Sequence, residues 1–342
     1  MTDALLGKRT HLDMSTLDIV EARGDHYLCG RDYGAATKRN IIWRLDNFVD
    51  DAAFKGSRRE LHDAHETCKQ YFPQYLRELQ GVADGAEVDF WKLLYFNLPE
   101  LSDSDSGCTS IAIRGANETL LVHNEDSVGE ERLQDGFLVH YVLPTVSFYA
   151  FAYAGELPGT SYGWNSHGVF FTCNYLYLGF GVGLQGRVSR TFVARQLMEA
   201  TDIDDAVTKL RSGHSASGYH DFIGKEDRVV SVEQFRDGVS VEEVVGTYVH
   251  TNHYLHPQFT AKMESYKHSQ MRYDRVSKLL LEGYDPLRVL ADRAGAPYAI
   301  CTLQNEELHT LSTVRFLPLQ HRVEVYEPRT LELQASLNLL GD

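Results

Sequence analysis

The spacing of apolar residues changes once in the first half of this chain, and the change falls on a short junction. Between 32 and 101 apolar residues recur at three and four, over 41–49, 61–79 and 90–98, which predicts a helical N-terminal region. From Cys108 onward they recur at two, and 109–114, 119–123, 137–142, 147–153 and 168–173 alternate as strands do. A chain that makes this switch must bury helix faces and sheet faces together, so its class is α+β. Pro73 and the run Gly81-Val82-Ala83-Asp84-Gly85 are expected to break the helical region, Asp89 to cap a helix, and Gly115-Ala116-Asn117-Glu118 to turn a hairpin. Helical spacing returns over 190–210, with Asp202 opening a second helix there. Strands follow at 221–223, 229–232 and 248–251, then helices over 271–281 and 287–294. A terminal hairpin over 311–326 turns at Pro318-Leu319-Gln320-His321.

The junction itself is Ser106-Gly107-Cys108-Thr109-Ser110, preceded by the acidic run Ser102-Asp103-Ser104-Asp105. A solvated turn directly before a strand is where a precursor can cut itself and leave cysteine at the head of the strand. Cys108 would then carry a thiol and a free α-amine on one residue. That amine, ordinarily titrating near about pH 8, can act as base for its own thiol without a catalytic histidine. Read as a bare string, Gly-Cys-Thr-Ser is equally an ordinary loop-to-strand junction.

Charge and composition remove several other functions. A formal net charge of -15 opposes binding to nucleic acid or to an anionic membrane. No stretch reaches the roughly 20 apolar residues of a membrane span, and the N-terminus lacks a secretory pattern, so a cytoplasmic protein is expected. The five cysteines (29, 68, 108, 173, 301) have no disulfide or metal spacing. His250-x-x-His253-x-x-His256 is spaced so that successive imidazoles point to opposite faces of a strand, and no metal is expected there. The glycine-rich run 179–186 lacks the strand-loop-helix context of a dinucleotide site, and no cofactor is expected; a mobile loop over the site is the expected role.

Thiolate attack on an amide or thioester creates an oxyanion, which needs rigid donors about 3 Å away. Asn252, at the end of a predicted strand, can supply one, although it also reads as a turn or cap asparagine. Asp126 ends the strand paired through the 115–118 hairpin with the strand of Cys108. Neighbouring strands run about 5 Å apart, so Asp126 can accept a hydrogen bond from the Cys108 amine.

Taken in order, Gly107-Cys108-Thr109, Asn124-Glu125-Asp126, the 155–168 segment with Asn165, His250-Thr251-Asn252-His253 and Pro297-Tyr298-Ala299-Ile300-Cys301 resemble the acyl-coenzyme A:isopenicillin N acyltransferase family. That group, peptidase family C45, includes carcinine and β-alanyl-dopamine hydrolases. The resemblance implies a four-layer αββα N-terminal-nucleophile hydrolase sandwich that cuts itself at Gly107-Cys108. It implies a small chain 1–107 and a large chain 108–342 that stay associated as one domain, with Cys108 as nucleophile, Asp126 beside the new amine and Asn252 at the oxyanion. Two positions depart from the penicillin-making members: Thr302 replaces an arginine, and Leu98-Pro99-Glu100 replaces arginine-threonine-glutamate.

The expected activity is therefore an amidohydrolase or acyltransferase on a small N-acyl amine or amino-acid-derived metabolite, through a Cys108 thioester. Glu125, Tyr153, Glu156 and Asp221 are candidates to contact the substrate, the carboxylates by meeting a cationic amine. Water as acceptor gives hydrolysis and an amine gives transfer. A biosynthetic N-acyltransferase using an acyl thioester, or a fold member that binds a metabolite without turnover, are the alternatives; assembly into a homo-oligomer stays open.

Overall fold

Two helices of the N-terminal region cross with backbone against backbone. The computed structural model describes residues 17–101, 107–128, 136–176, 183–236, 238–260, 266–302 and 308–340. After strand β1 (Ile19–Arg23) come helices α1 (His26–Phe48), α2 (Asp51–Gly56), α3 (Arg58–Tyr71), α4 (Pro73–Ala86) and α5 (Phe90–Phe96). The 81–85 run does not break the chain, as the sequence had suggested, but lies inside α4. A Cβ at Gly81 or Gly85 would stand 2.1 Å from the backbone oxygen of Tyr27 or Arg31, and one at Gly30 would meet that of Glu78 at the same distance. Each glycine costs its helix about 1 kcal/mol against alanine, and the close crossing of α1 and α4 is what offsets it. Pro73 sits in the first turn of α4, where its missing N–H costs nothing. Asp89 caps α5 as expected, accepting from the Lys92 amide at 2.7 Å.

The remaining elements are β2 (Gly107–Arg114), β3 (Thr119–Val128), β4 (Gly136–Val142), β5 (Ser147–Tyr153), β6 (Tyr162–Asn165) and β7 (Val169–Tyr175), then α6 (Arg190–Arg195) and α7 (Ile203–Ser212). There follow β8 (Tyr219–Lys225), β9 (Arg228–Phe235), β10 (Gly238–Glu243), β11 (Gly246–His250), α8 (Lys267–Leu281), α9 (Pro286–Leu290), β12 (Leu308–Leu317), β13 (Arg322–Tyr326) and β14 (Leu333–Asn338). They build an eight-stranded sheet in the order β1-β4-β5-β6-β7-β8-β9-β10 and a six-stranded sheet in the order β11-β2-β3-β12-β13-β14. Strands β1, β6, β10 and β14 are not among the strands the sequence predicts. β1 pairs in parallel with β4, so the N-terminal region also supplies an edge strand to the larger sheet.

Alternation along β2 and β3 sorts their side chains between two surroundings. Ala112 and Leu121 join Phe151, Tyr162, Trp164 and Phe170 of the larger sheet in one apolar cluster between the sheets. Ile111, Leu120 and Val122 face the other way, onto Val276 and Leu279 of α8 and Val289 and Leu290 of α9. A third cluster packs α1, α4 and α5 on the far face of the larger sheet. Through this cluster Arg195 of α6 reaches Glu78 of α4 at 2.8 Å, both side chains fully buried. Removing one partner of such a pair leaves an uncompensated charge, worth about 3–5 kcal/mol.

Candidate active site

The register of the β2–β3 pair decides what surrounds the thiol. Cys108 stands opposite Glu125, Ser110 opposite His123, and Gly107 opposite Asp126. With a side-chain period of two, Cys108, Ser110, His123 and Glu125 share the face between the sheets, while Thr109 and Asp126 turn towards α8.

On the inner face the Cys108 thiol donates to Glu125 Oε2 across 3.8 Å. The same oxygen accepts from Ser161 at 2.7 Å and meets His123 Nε2 at 3.0 Å, and the other carboxylate oxygen accepts from the Tyr153 hydroxyl at 2.6 Å. His123 Nδ1 rests on Ser110 Oγ at 2.8 Å, and Ser110 donates across to Asn174 Oδ1 on β7 at 2.7 Å. Cys108 is 1 % exposed, yet polar groups surround its sulfur. Burial pushes the thiol well above its ordinary range, the nearby Glu125 adds to that, and the Tyr175 backbone and Arg272 oppose it. The thiol therefore needs a base to ionise.

On the other face α8 delivers a guanidinium. Arg272 is fully buried and donates to the Cys108 carbonyl at 2.5 Å, to Thr109 Oγ1 at 2.8 Å and to Asn252 Oδ1, and it lies 3.9 Å from Asp126. Asn252 Oδ1 also accepts from the Cys108 backbone nitrogen at 3.0 Å, while its Nδ2 donates to the Tyr175 carbonyl at 2.8 Å. Here the Cys108 nitrogen is a peptide N–H that donates to Asn252, whereas the bond expected at Asp126 is one from the free amine of a cut chain. Asp126 takes its hydrogen bond from Thr310 at 2.6 Å, and burial raises its carboxyl to about 6. Position 302 brings no cation; its backbone N–H binds Thr310 Oγ1 at 3.0 Å.

The four candidate substrate contacts separate into two sets. Glu125 and Tyr153 lie at the thiol. Glu156 is held by Arg44 at 2.8 Å, and Asp221 stands opposite Cys173 on β7, buried, with its carboxyl pushed up to about 7 by loss of solvent. The histidines of the 250–256 run do not converge: His250 binds Glu233 at 2.9 Å, His253 binds Ser269 at 2.7 Å and His256 binds Ser231 at 3.0 Å. Of the glycine-rich run, 179–182 lie outside the described residues, as does Tyr177. The sequence reading missed His123, Ser161 and Arg272. A period-two count from Cys108 through the hairpin would have found His123, and a charged residue on the inward line Ser269, Arg272, Val276, Leu279 would have marked Arg272.

The family signature of acyl-coenzyme A:6-aminopenicillanic acid acyl-transferase spans residues 113–332, and the chain belongs to that family. It is similar to the β-alanyl-dopamine/carcinine hydrolase of Drosophila melanogaster, 29% identical over 221 residues that span 56% of this chain and 57% of the fly protein. It is also similar to the 40 kDa form of acyl-coenzyme A:6-aminopenicillanic-acid-acyltransferase of Emericella nidulans, 26% identical over 330 residues, covering 88% of this chain and 89% of that one. Its relatives thus include a hydrolase and an acyltransferase. Among solved structures, a cysteine-to-alanine mutant and an arginine-to-leucine variant of conjugated bile acid hydrolase from Clostridium perfringens align with TM-scores of 0.43 and 0.44 at 11% identity. They cover 69% of this chain and 94% and 95% of those chains. No described helix is long and apolar enough to cross a membrane.

Proposed function

We propose that this chain is a self-cleaving cysteine amidohydrolase or acyltransferase whose nucleophile is Cys108. The observation that carries the reading is the placement of one residue's nitrogen and sulfur against two different acceptors, Asn252 at 3.0 Å and Glu125 at 3.8 Å, at the first residue after the junction. The three apolar clusters, two between helices and sheet and one between sheets, support a four-layer αββα sandwich of the N-terminal-nucleophile type.

In the uncut chain the Cys108 nitrogen is an amide and cannot be a base, so the first step falls to Glu125. Its carboxylate takes the thiol proton, and the sulfur adds to the Gly107 carbonyl carbon. The bond from that carbon to the Cys108 nitrogen breaks as the nitrogen takes the proton, leaving a thioester and a free amine. Water then cleaves the thioester to a Gly107 carboxylate and restores the thiol. The new amine keeps Asn252 Oδ1 as its acceptor, and the adjacent Arg272 guanidinium disfavours its protonated form, so that it can serve as base in turnover. Asn252 Nδ2 is the side-chain donor for the oxyanion, held in place by the Tyr175 carbonyl.

The substrate in this reading is a small N-acyl amine, resolved from the Cys108 thioester by water or by an acceptor amine; product analysis with and without added amine separates the two outcomes. Glu156, already neutralised by Arg44, drops out as a partner for a cationic amine. The buried Arg195–Glu78 pair and the β1–β4 pairing support association of 1–107 with 108–342 after the cut. Five buried cysteines without a disulfide suit a reducing compartment such as the cytoplasm. The test is intact mass: the wild type is expected as two fragments meeting at Gly107-Cys108 and Cys108→Ala as one inactive chain. Two fragments from Cys108→Ala would end the proposal.

A further inference from the structure

We propose that Cys108 Sγ, His123 Nε2 and Glu125 Oε2 form a three-donor site for a thiophilic divalent cation, with Zn(II) as the fitting ion, and that occupancy blocks the thiol. The three atoms lie within 4.8 Å of one another, all on buried residues. Bonds of about 2.0–2.3 Å to sulfur, nitrogen and oxygen place neighbouring tetrahedral ligands about 3.3–3.6 Å apart. The carboxylate oxygen is 3.8 Å from the sulfur and 3.0 Å from the imidazole nitrogen, so both separations need only a few tenths of an ångström of adjustment.

The groups behind the donors are also those a metal site needs. Asn174 directs its amide Nδ2 at the His250 carbonyl, so its Oδ1 is the atom facing Ser110, and the single Ser110 hydroxyl proton is committed to it. Ser110 Oγ therefore accepts from His123 Nδ1–H at 2.8 Å, which fixes the ring and aims Nε2 at Glu125. Tyr153 steadies the carboxylate from its other oxygen. The Cys108 thiol gives up its proton to solvent when its sulfur binds the ion. The ion then meets one thiolate and one carboxylate, whose two negative charges match its own in a site where an uncompensated charge is costly. Sulfur and imidazole with a single carboxylate favour Zn(II) over Mg(II) or Ca(II).

This site does not depend on the catalytic reading, because binding is measured without substrate. The full purified chain is titrated with Zn(II) against a chromophoric chelator, and with Co(II) to look for a thiolate-to-cobalt charge-transfer band. One ion per chain, the band, and release of the thiol proton on binding are expected. Glu125→Gln and Cys108→Ser should bind at least tenfold more weakly, and Ser110→Ala, which touches no ion, about 10–100-fold more weakly. Thermal unfolding of each variant with and without Zn(II) separates loss of the site from loss of the fold: at one fixed Zn(II) concentration the wild type should gain the most stability. Absence of the charge-transfer band, or equal affinity in wild type and all three variants, would overturn the proposal and place any bound zinc on surface histidines.

Discussion

Glu125→Gln replaces the proposed base with a side chain of the same shape. The amide oxygen can still accept from Tyr153, but an NH2 group at the second position cannot accept from Ser161 or the Cys108 thiol, which now meet Oε2 at 2.7 and 3.8 Å. Loss of a positioned general base slows a step by about 10²–10⁴-fold, which at 1.36 kcal/mol per tenfold is a barrier increase of about 2.7–5.4 kcal/mol. The Ser161 hydroxyl can rotate to accept instead. The His123 contact is kept, because with Nδ1–H committed to Ser110 the Gln NH2 can donate to His123 Nε2, so the variant should fold with a Tm close to that of the wild type. Timed intact-mass measurement after synthesis gives the processing rate directly. Wild type should be cut completely while Glu125→Gln persists as one chain, and Glu125→Asp, which retains a carboxylate on a shorter stem, should recover part of the rate. Processing of folded Glu125→Gln within threefold of the wild-type rate would refute Glu125 as the base and return the role to a group not on the inner face.

Two further outcomes follow from the buried charges. Asp221 titrates near 7 in the folded chain against 3.8 ordinarily, because burial penalises its ionised form; the native state then holds the proton longer, and stability falls as pH rises from about 4 through 7. Asp221→Asn should therefore be more stable than wild type at pH 8, by up to about 4 kcal/mol, and show no advantage at pH 4 in denaturant titrations. Arg272→Met removes the cation that lowers the Asp126 carboxyl and should destabilise the fold by about 3–5 kcal/mol at pH 8. The loss should shrink at pH 4, where Asp126 is protonated; an equal loss at both pH values would show that packing, not charge, explains Arg272.

The period switch at Cys108 made the class of fold and the strands around the thiol legible, because alternation over six or more residues has no helical reading. Asp89, Asp202 and the turn at 318–321 were legible for local reasons of capping and turn chemistry. The helical glycines were misjudged because their compensation lies on another helix 50 residues away, and β14 was missed because it is an exposed edge strand. At the site, proximity of Asp126 to the junction was readable, but its facing was a matter of register. Odd and even positions of β3 serve different sides of the sheet, which assigned Glu125 to the sulfur and Asp126 to Arg272. Asn252 was placed at the end of the right strand, whereas its acceptor role towards the Cys108 nitrogen required knowing that Tyr175 binds its amide.

The hydroxyl of Tyr33, in α1, donates to the carbonyl of Tyr153 at 2.6 Å and accepts from the Gly155 amide at 3.2 Å. Tyr153 in turn holds Glu125. A side chain of the leading segment therefore clamps the strand that steadies the group beside the sulfur, and were the chain cut at Gly107-Cys108 the smaller fragment would still set that aim. The leading segment would not be a discarded wrapper, and a lesion in α1 would be felt as lost aim at the sulfur before it was felt as lost cohesion.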